Sequence, residues 1–120
     1  MASIEVKNFG SPDETRPFEG KGEAYIVNIG GRPIGKAVFE PGWRWSNNVK
    51  PIAGTDSCQT SHLGYCVSGR MKVTMDDGTE QEIGPGDVFA IHPGHDAEVV
   101  GNEACVSLDF GEFGEYAKPK

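Results

Sequence analysis

Three residues in the middle of the chain carry metal-binding side chains and are separated by even numbers of residues. They are Asp56, Cys58 and His62. If this segment is extended, the three side chains project to one side, because successive side chains of a strand alternate between faces. Thiolate and imidazole ligands suit zinc, whereas a carboxylate with imidazoles suits iron or manganese. The spacing therefore predicts part of a metal site, and His95 offers a further imidazole.

The same residues allow two other interpretations. Cys58 can be a catalytic nucleophile with His62 or His95 as its base, because a thiolate forms near neutral pH beside an electropositive group. Alternatively, Cys58 is a small buried apolar residue, as free cysteines commonly are, and His62 is a hydrogen-bonded pocket residue. A bound metal and a metal-free pocket are therefore equally compatible with the sequence.

Three aromatic residues flank these positions and are candidates for ligand binding, namely Trp43, Trp45 and Tyr65. Trp43 and Trp45 share a face of an extended segment, with Arg44 between them. Paired indoles of this kind line a pocket or cover a dimer interface, and both alternatives stay open. His92 is interpreted as a solvent-facing side chain, and Cys66 and Cys105 as core residues.

Short strands joined by turns must position these residues. The chain contains 17 Gly and 8 Pro, which favour many tight turns. Alternating apolar residues between turn signals predict an all-β protein, with strands at 23–29, 32–39, 62–68, 70–75, 79–83, 87–91, 97–100 and 104–110. The clearest hairpin turn is Asp76-Asp77-Gly78. Residues 49–55 contain Pro51 and Gly54 and are predicted to form a loop.

A short helical turn is predicted near the N-terminus. Ser11 is suited to a helix cap, Pro12 to the first helical position and Glu14 to the third position after the cap. Pro17 ends the segment within two turns. The 120 residues predict a single domain over 1–120, with a barrel core at about 23–110 and a polar tail at 111–120.

Composition argues against several partners and compartments. A net charge of −7 does not suit binding to nucleic acid or to an anionic membrane, because both require a basic face. No apolar run is long enough to span a bilayer, and no secretory signal is visible. Three widely spaced cysteines do not form a disulfide framework, so we expect a reduced, cytoplasmic protein.

Two segments resemble the second conserved motif of the cupin superfamily, Gly84-Pro85-Gly86-Asp87 and Ile91-His92-Pro93-Gly94. Gly69 and the hairpin at Asp77-Gly78 resemble the end of the first motif and the loop that follows it. A narrower similarity, to a group of small single-domain bacterial cupins, is carried by Pro41-Gly42-Trp43-Arg44-Trp45-Ser46, Cys58, His62-Leu63-Gly64-Tyr65 and Pro93-Gly94-His95-Asp96-Ala97. This resemblance implies a jelly-roll barrel with an internal pocket, often dimeric.

The resemblance also implies which positions hold a metal. The usual two histidines and glutamate of the first motif fall on Asp56, Cys58 and His62, and the usual histidine of the second motif falls on Ala97. His95 lies two residues before Ala97 and therefore shares its face of the strand. The implied metal set is His62, His95, Cys58 and Asp56, with zinc, iron, manganese or nickel as the divalent cation.

Three functional hypotheses follow from the residues and the resemblance. The first is a small-molecule enzyme, an oxidoreductase, isomerase or lyase, that acts on a small polar organic molecule within the barrel. The second is a non-catalytic ligand-binding or sensing barrel without metal, and the third is a vestigial structural dimer. The expected partners are a small-molecule ligand and a second copy of the chain in a homodimer.

Overall fold

The structure is a computed structural model that describes residues 4–111. It is built almost entirely from strands, interrupted by two four-residue helices that follow the third strand. The elements in chain order are β1 (Glu14–Pro17), β2 (Gly22–Ile29), β3 (Arg32–Phe39), α1 (Trp45–Asn48), α2 (Lys50–Ala53), β4 (His62–Ser68), β5 (Arg70–Met75), β6 (Glu80–Ile83), β7 (Val88–Ile91), β8 (His95–Val100) and β9 (Cys105–Asp109).

The strands form two antiparallel sheets that enclose one core. The larger sheet has the order β1-β2-β3-β9-β4-β7, and the smaller sheet has the order β6-β5-β8. Inward-facing apolar side chains from both sheets, among them Ile26, Phe39 and Val73, form the buried cluster between them. The predicted all-β jelly-roll fold is therefore confirmed.

Turn chemistry explains why the sequence folds in this way. Gly30 and Gly31 connect β2 to β3, and both have positive φ, at 58° and 78°. Gly78 ends the predicted Asp76-Asp77-Gly78 turn with a φ of 92°. Residues with a Cβ rarely adopt these angles, so glycine fixes both hairpins and the register of the strands that they join.

Two local predictions are wrong. The predicted N-terminal helical turn is instead strand β1, in which Thr15 lies opposite Tyr25 of β2. An isolated helix of one or two turns is marginal in water, whereas pairing with β2 satisfies the backbone groups of this segment. The predicted loop at 49–55 contains α2, because Pro51 suits the first turn of a helix and Gly54, at a φ of 75°, ends it.

No helix within residues 4–111 is long and apolar enough to cross a membrane. The predicted polar tail lies outside the described residues, apart from Gly111.

Candidate metal centre

Cys58, His62 and His95 converge at one end of the barrel. Each of them offers one ligand atom, and these atoms all lie within 4.8 Å of one another. His62 is the first residue of β4 and His95 is the first residue of β8. The strand patterns therefore turn both imidazoles inward, where their ring centroids are 5.2 Å apart.

Backbone hydrogen bonds bring Cys58 to this end of the barrel. The Cys58 N–H donates to the carbonyl of His95 at 2.7 Å, and the Gly94 N–H donates to the carbonyl of Cys58 at 2.7 Å. This isolated bridge holds the segment after α2 against the start of β8. These hydrogen bonds therefore fix the main chain of Cys58 beside that of His95.

Each imidazole is oriented by a hydrogen bond from its outer nitrogen. His62 Nδ1 lies 2.5 Å from Asp109 Oδ2, and His95 Nδ1 lies 2.8 Å from the carbonyl oxygen of His92. Both oxygens are acceptors, so both Nδ1 atoms carry the proton. This arrangement leaves each Nε2 as the nitrogen that is available to a metal, and it is the usual outer support of metal-bound histidine.

The donor atoms fit a tetrahedral transition-metal ion. Cys58 Sγ lies 3.7 Å from His62 Nε2. With metal–sulfur and metal–nitrogen bonds of about 2.3 and 2.0–2.1 Å, a sulfur and a nitrogen ligand of one tetrahedral zinc are separated by about 3.6 Å. Three protein ligands also leave one coordination position for a substrate, as catalytic zinc sites do.

The charges of the cluster favour a thiolate. Burial raises the pKa of the Cys58 thiol, but hydrogen bonds and positive charge from His62 and His95 outweigh burial and lower that pKa to about 6. Burial lowers the pKa of His62, but the hydrogen bonds to Asp109 and Cys58 outweigh it and raise that pKa to about 9. Near pH 7 the metal-free pair is therefore a thiolate beside an imidazolium.

A cavity of about 50 Å³ lies against the two histidines. This volume holds only a few water molecules. Among the described residues, Asp109 lines the cavity but Cys58 does not, and most of the other lining residues are apolar. Trp43 and Trp45 are each 2% exposed and line the cavity. The two indoles therefore lie inside the barrel.

Two predicted site residues lie elsewhere. Asp56 is outside the cluster, because its fully exposed side chain faces solvent, and its ion-pair contact among residues 4–111 is with Lys50, at 4.0 Å. The chain is bent at residues 55–57, so the extended segment on which the even spacing depended begins only after these residues. Tyr65 is 40% exposed and does not line the cavity among the residues described. His92 is solvent-exposed, and only its carbonyl supports the site.

Asp109 is a site residue that the sequence analysis missed. It lies 47 residues after His62 and is brought close because β9 pairs with β4, with Asp109 opposite Gly64. A signal was present in the sequence, since Cys105, Ser107 and Asp109 alternate on the inward face of a strand. A carboxylate at such a position is seldom buried without a partner.

The two-sheet topology and a site at one end of the barrel define the cupin fold, and the chain has that fold. No family model matches the sequence, and no curated protein matches it.

Solved structures support the assignment of the fold. An RmlC-like cupin from Shewanella frigidimarina is 18% identical, with 88% of this chain and 90% of that chain covered and a TM-score of 0.54. The polyketide cyclase of Streptomyces resistomycificus is 16% identical, with 88% and 77% covered and a TM-score of 0.62. An oxalate decarboxylase mutant from Bacillus subtilis is 18% identical, with 91% and 30% covered and a TM-score of 0.61.

Proposed function

We propose that this chain is a metal-dependent enzyme in which Cys58, His62 and His95 hold one divalent first-row cation. The observation that supports the proposal is the convergence of three donor atoms within 4.8 Å, with both imidazoles oriented by outer hydrogen bonds. The thiolate favours zinc or iron over manganese, which prefers oxygen ligands. Asp56 is not part of the proposed ligand set.

The reaction would take place in a small, water-poor cavity. A divalent cation bound here would supply a Lewis acid that polarises a substrate oxygen. The protein would contribute orientation, because Asp109 and the carbonyl of His92 hold the two rings, and apolar side chains limit water beside them. The reaction class is isomerisation or elimination if the metal is zinc, and oxidation if it is iron.

Reconstitution of the purified protein tests the metal site. We expect about one zinc or iron per chain after dialysis against the metal, measured by elemental analysis, and a higher melting temperature with metal than without it. His62→Ala should lose both the metal and the thermal shift. His92→Ala is the matched control, because its exposed ring can be removed while its carbonyl remains. Absence of stoichiometric metal and of any thermal shift in the wild type would favour the non-catalytic binding barrel.

A second candidate function uses the same residues without metal. Cys58 Sγ lies 3.7 Å from His62 Nε2, and Asp109 orients the other nitrogen of the same ring. In a cysteine catalytic triad these three residues would be the nucleophile, the base and the acid that orients the base. The metal proposal is preferred because Cys58 is 2% exposed and its sulfur does not line the described cavity. A nucleophile requires direct contact with its substrate. Covalent labelling of Cys58 by an electrophilic substrate analogue, in protein that binds no metal, would reverse this preference.

We also propose that two copies pair through the outward face of β4 in the cytoplasm. Leu63, Tyr65 and Val67 are large, exposed apolar residues on that face, and Val88 of the adjacent β7 extends it. These side chains are uncharged, so two copies with a net charge of −7 each can meet there without opposing like charges. Light scattering should give a dimer for the wild type and a monomer for Tyr65→Glu, whereas a wild-type monomer would end the proposal.

A further inference from the structure

A second, larger cavity opens beside the candidate metal centre. It is a cleft of about 550 Å³ between β6 and β7, which are edge strands of the two different sheets. Its volume lies within the range of small-molecule binding sites, about 300–1,000 Å³. The cavity at the histidines, at about 50 Å³, has no room for the body of an organic substrate.

One wall separates the two cavities. Val73, Ile83, Phe89 and Ile91 line both of them. Phe89 and Ile91 are half-buried, so their side chains face the cleft on one side and the cavity on the other. The cleft is therefore the adjoining space into which a molecule that reaches the cavity can extend.

The strand register places two residues of the cleft directly beside the metal-binding histidines. Ile91 lies opposite His62, and Met75 lies opposite His95. Residues opposite each other on antiparallel strands project to the same face, with Cβ atoms about 4.5–5.5 Å apart. Met75 is half-buried, and a methionine side chain changes shape readily. Rotation of Met75 and Ile91 would join the cleft to the open coordination position.

The charges of the two linings restrict the ligand. The cleft carries the carboxylates of Glu82 and Asp87, and the inner cavity carries Asp109. No lysine or arginine is among the described residues that line either space. The nearby Arg70 already donates to Glu82 at 2.8 Å. A negative charge held within the cleft, away from the histidines and the proposed metal, would be desolvated beside Glu82 and Asp87 without a cationic partner, which is costly.

We propose that the β6–β7 cleft is the substrate-binding site and that it takes a small organic molecule whose body is apolar and carries no negative charge. This proposal rests on the proposed function, because the reactive end of the ligand would pass Met75 and Ile91 to reach the metal. The proposal excludes molecules whose carboxylate or phosphate would stay in the cleft, away from the metal. Molecules of the same shape that place an uncharged or cationic group in the cleft are accepted.

Three probes of similar shape test the cleft: benzyl alcohol, benzylamine and benzoate. Each is titrated into zinc-free and zinc-loaded protein while the methyl resonances of Met75 and Ile91 are followed by NMR. We expect saturable shifts of both methyl groups with benzyl alcohol and benzylamine and, in the zinc-free protein, at least tenfold weaker binding of benzoate. Ile91→Trp should abolish the shift of Met75, because the indole fills the passage. Thr74→Trp, on the outward face of β5, is the matched control and should leave the shift unchanged.

A failure of the cleft proposal can be distinguished from a failure of the metal-site proposal. Methyl shifts in a protein that binds no zinc would refute the metal site and leave the cleft standing. Stoichiometric zinc without any methyl shift up to about 10 mM probe, a range in which even millimolar affinity is visible, would overturn the cleft and leave the metal site standing. Equal or tighter binding of benzoate than of benzyl alcohol by the zinc-free protein would overturn the proposed ligand class.

Discussion

The three cysteines of this chain are all buried, yet they lie in two regions with opposite chemistry. Cys58 is beside two imidazoles at one end of the barrel, and its pKa is lowered to about 6. Cys66 and Cys105 lie together in the core, where burial raises the pKa of both thiols, to about 12 for Cys105. Burial has the same sign in all three cases. Neighbouring charge therefore decides which thiol is ionised near neutral pH.

The largest expected difference is in thiolate content. At pH 7, a thiol with a pKa of about 6 is about nine-tenths ionised, whereas one with a pKa of about 12 is ionised to about one part in 10⁵. The ultraviolet thiolate absorbance of the metal-free protein should therefore rise with a midpoint near pH 6, and Cys58→Ala should remove that rise. Cys105→Ala is the control and should keep it. Equal loss in both variants would contradict the comparison.

Zinc affinity is the second property in which Cys58 and the core cysteines should differ. Cys58→Ser removes a ligand, so the dissociation constant for zinc should increase by more than about 100-fold, since loss of an outer partner alone costs about 10–100-fold. Cys66→Ser should bind zinc as the wild type does, because that thiol donates to the backbone carbonyls of Ser68 and Gly69 and lies outside the cluster of Cys58, His62 and His95. Competition with a zinc-binding dye measures both constants. Similar losses in the two variants would show that Cys58 is not a ligand.

A smaller effect is expected from Asp109, which acts through His62. Asp109→Asn keeps the shape of the side chain but removes its charge, so zinc affinity should fall by about 10–100-fold. The pKa of His62 should fall as well, because Asp109 is the main group that raises it. Asp76→Asn is the control, since Asp76 accepts from Ser57 Oγ at 2.9 Å and not from an imidazole. Unchanged affinity and an unchanged His62 titration by NMR would remove Asp109 from the site.

The smallest expected effect is on the pH dependence of stability without metal. The pKa of His62 is raised from 6.5 to about 9, so its contribution is complete below pH 6.5 and is lost as pH rises through about 9. The pKa of Cys58 is lowered from 9.0 to about 6, so its contribution is complete above pH 9 and is lost as pH falls through about 6. The two trends oppose each other, so the wild type should be nearly equally stable across this window.

Removing Cys58 should expose the trend of His62. In Cys58→Ala the bond between His62 and Asp109 remains while the opposing contribution of the thiolate is gone, so the free energy of unfolding should decrease as the pH rises from 6.5 to 9. Urea denaturation at several pH values measures this change. Cys66→Ala should follow the flat wild-type profile. Parallel profiles for all three proteins would show that the thiolate–imidazolium pair does not form.

The sequence predicted the fold because its turns are encoded locally. Glycines with positive φ and the alternation of apolar residues were sufficient to place most strands, and they also turned His62 and Cys66 inward. The same alternation puts Tyr65, three residues after His62, on the outward face, which could have been deduced from parity. The N-terminal segment could not be predicted in this way, because its pairing with β2 is a tertiary contact that outweighs a local helix signal.

The candidate site was predictable only where local spacing on one segment places a side chain. Cys58, His62 and His95 came from ligand chemistry, spacing and resemblance, and the structure brings their side chains together. Asp109 was missed because its contact with His62 depends on the pairing of β4 with β9, which is not evident from either segment alone. Asp56 was placed by spacing that holds only in an extended chain, and the bends at residues 55–57 break that condition.

X-ray absorption spectroscopy at the zinc edge of the reconstituted protein tests the metal centre most directly. The predicted first shell contains one sulfur at about 2.3 Å and two imidazole nitrogens at about 2.0–2.1 Å, with room for one further light atom. Cys58→Ser should lose the sulfur shell. A first shell without sulfur in the wild type, or one with the same sulfur in Cys58→Ser, would contradict the proposed centre.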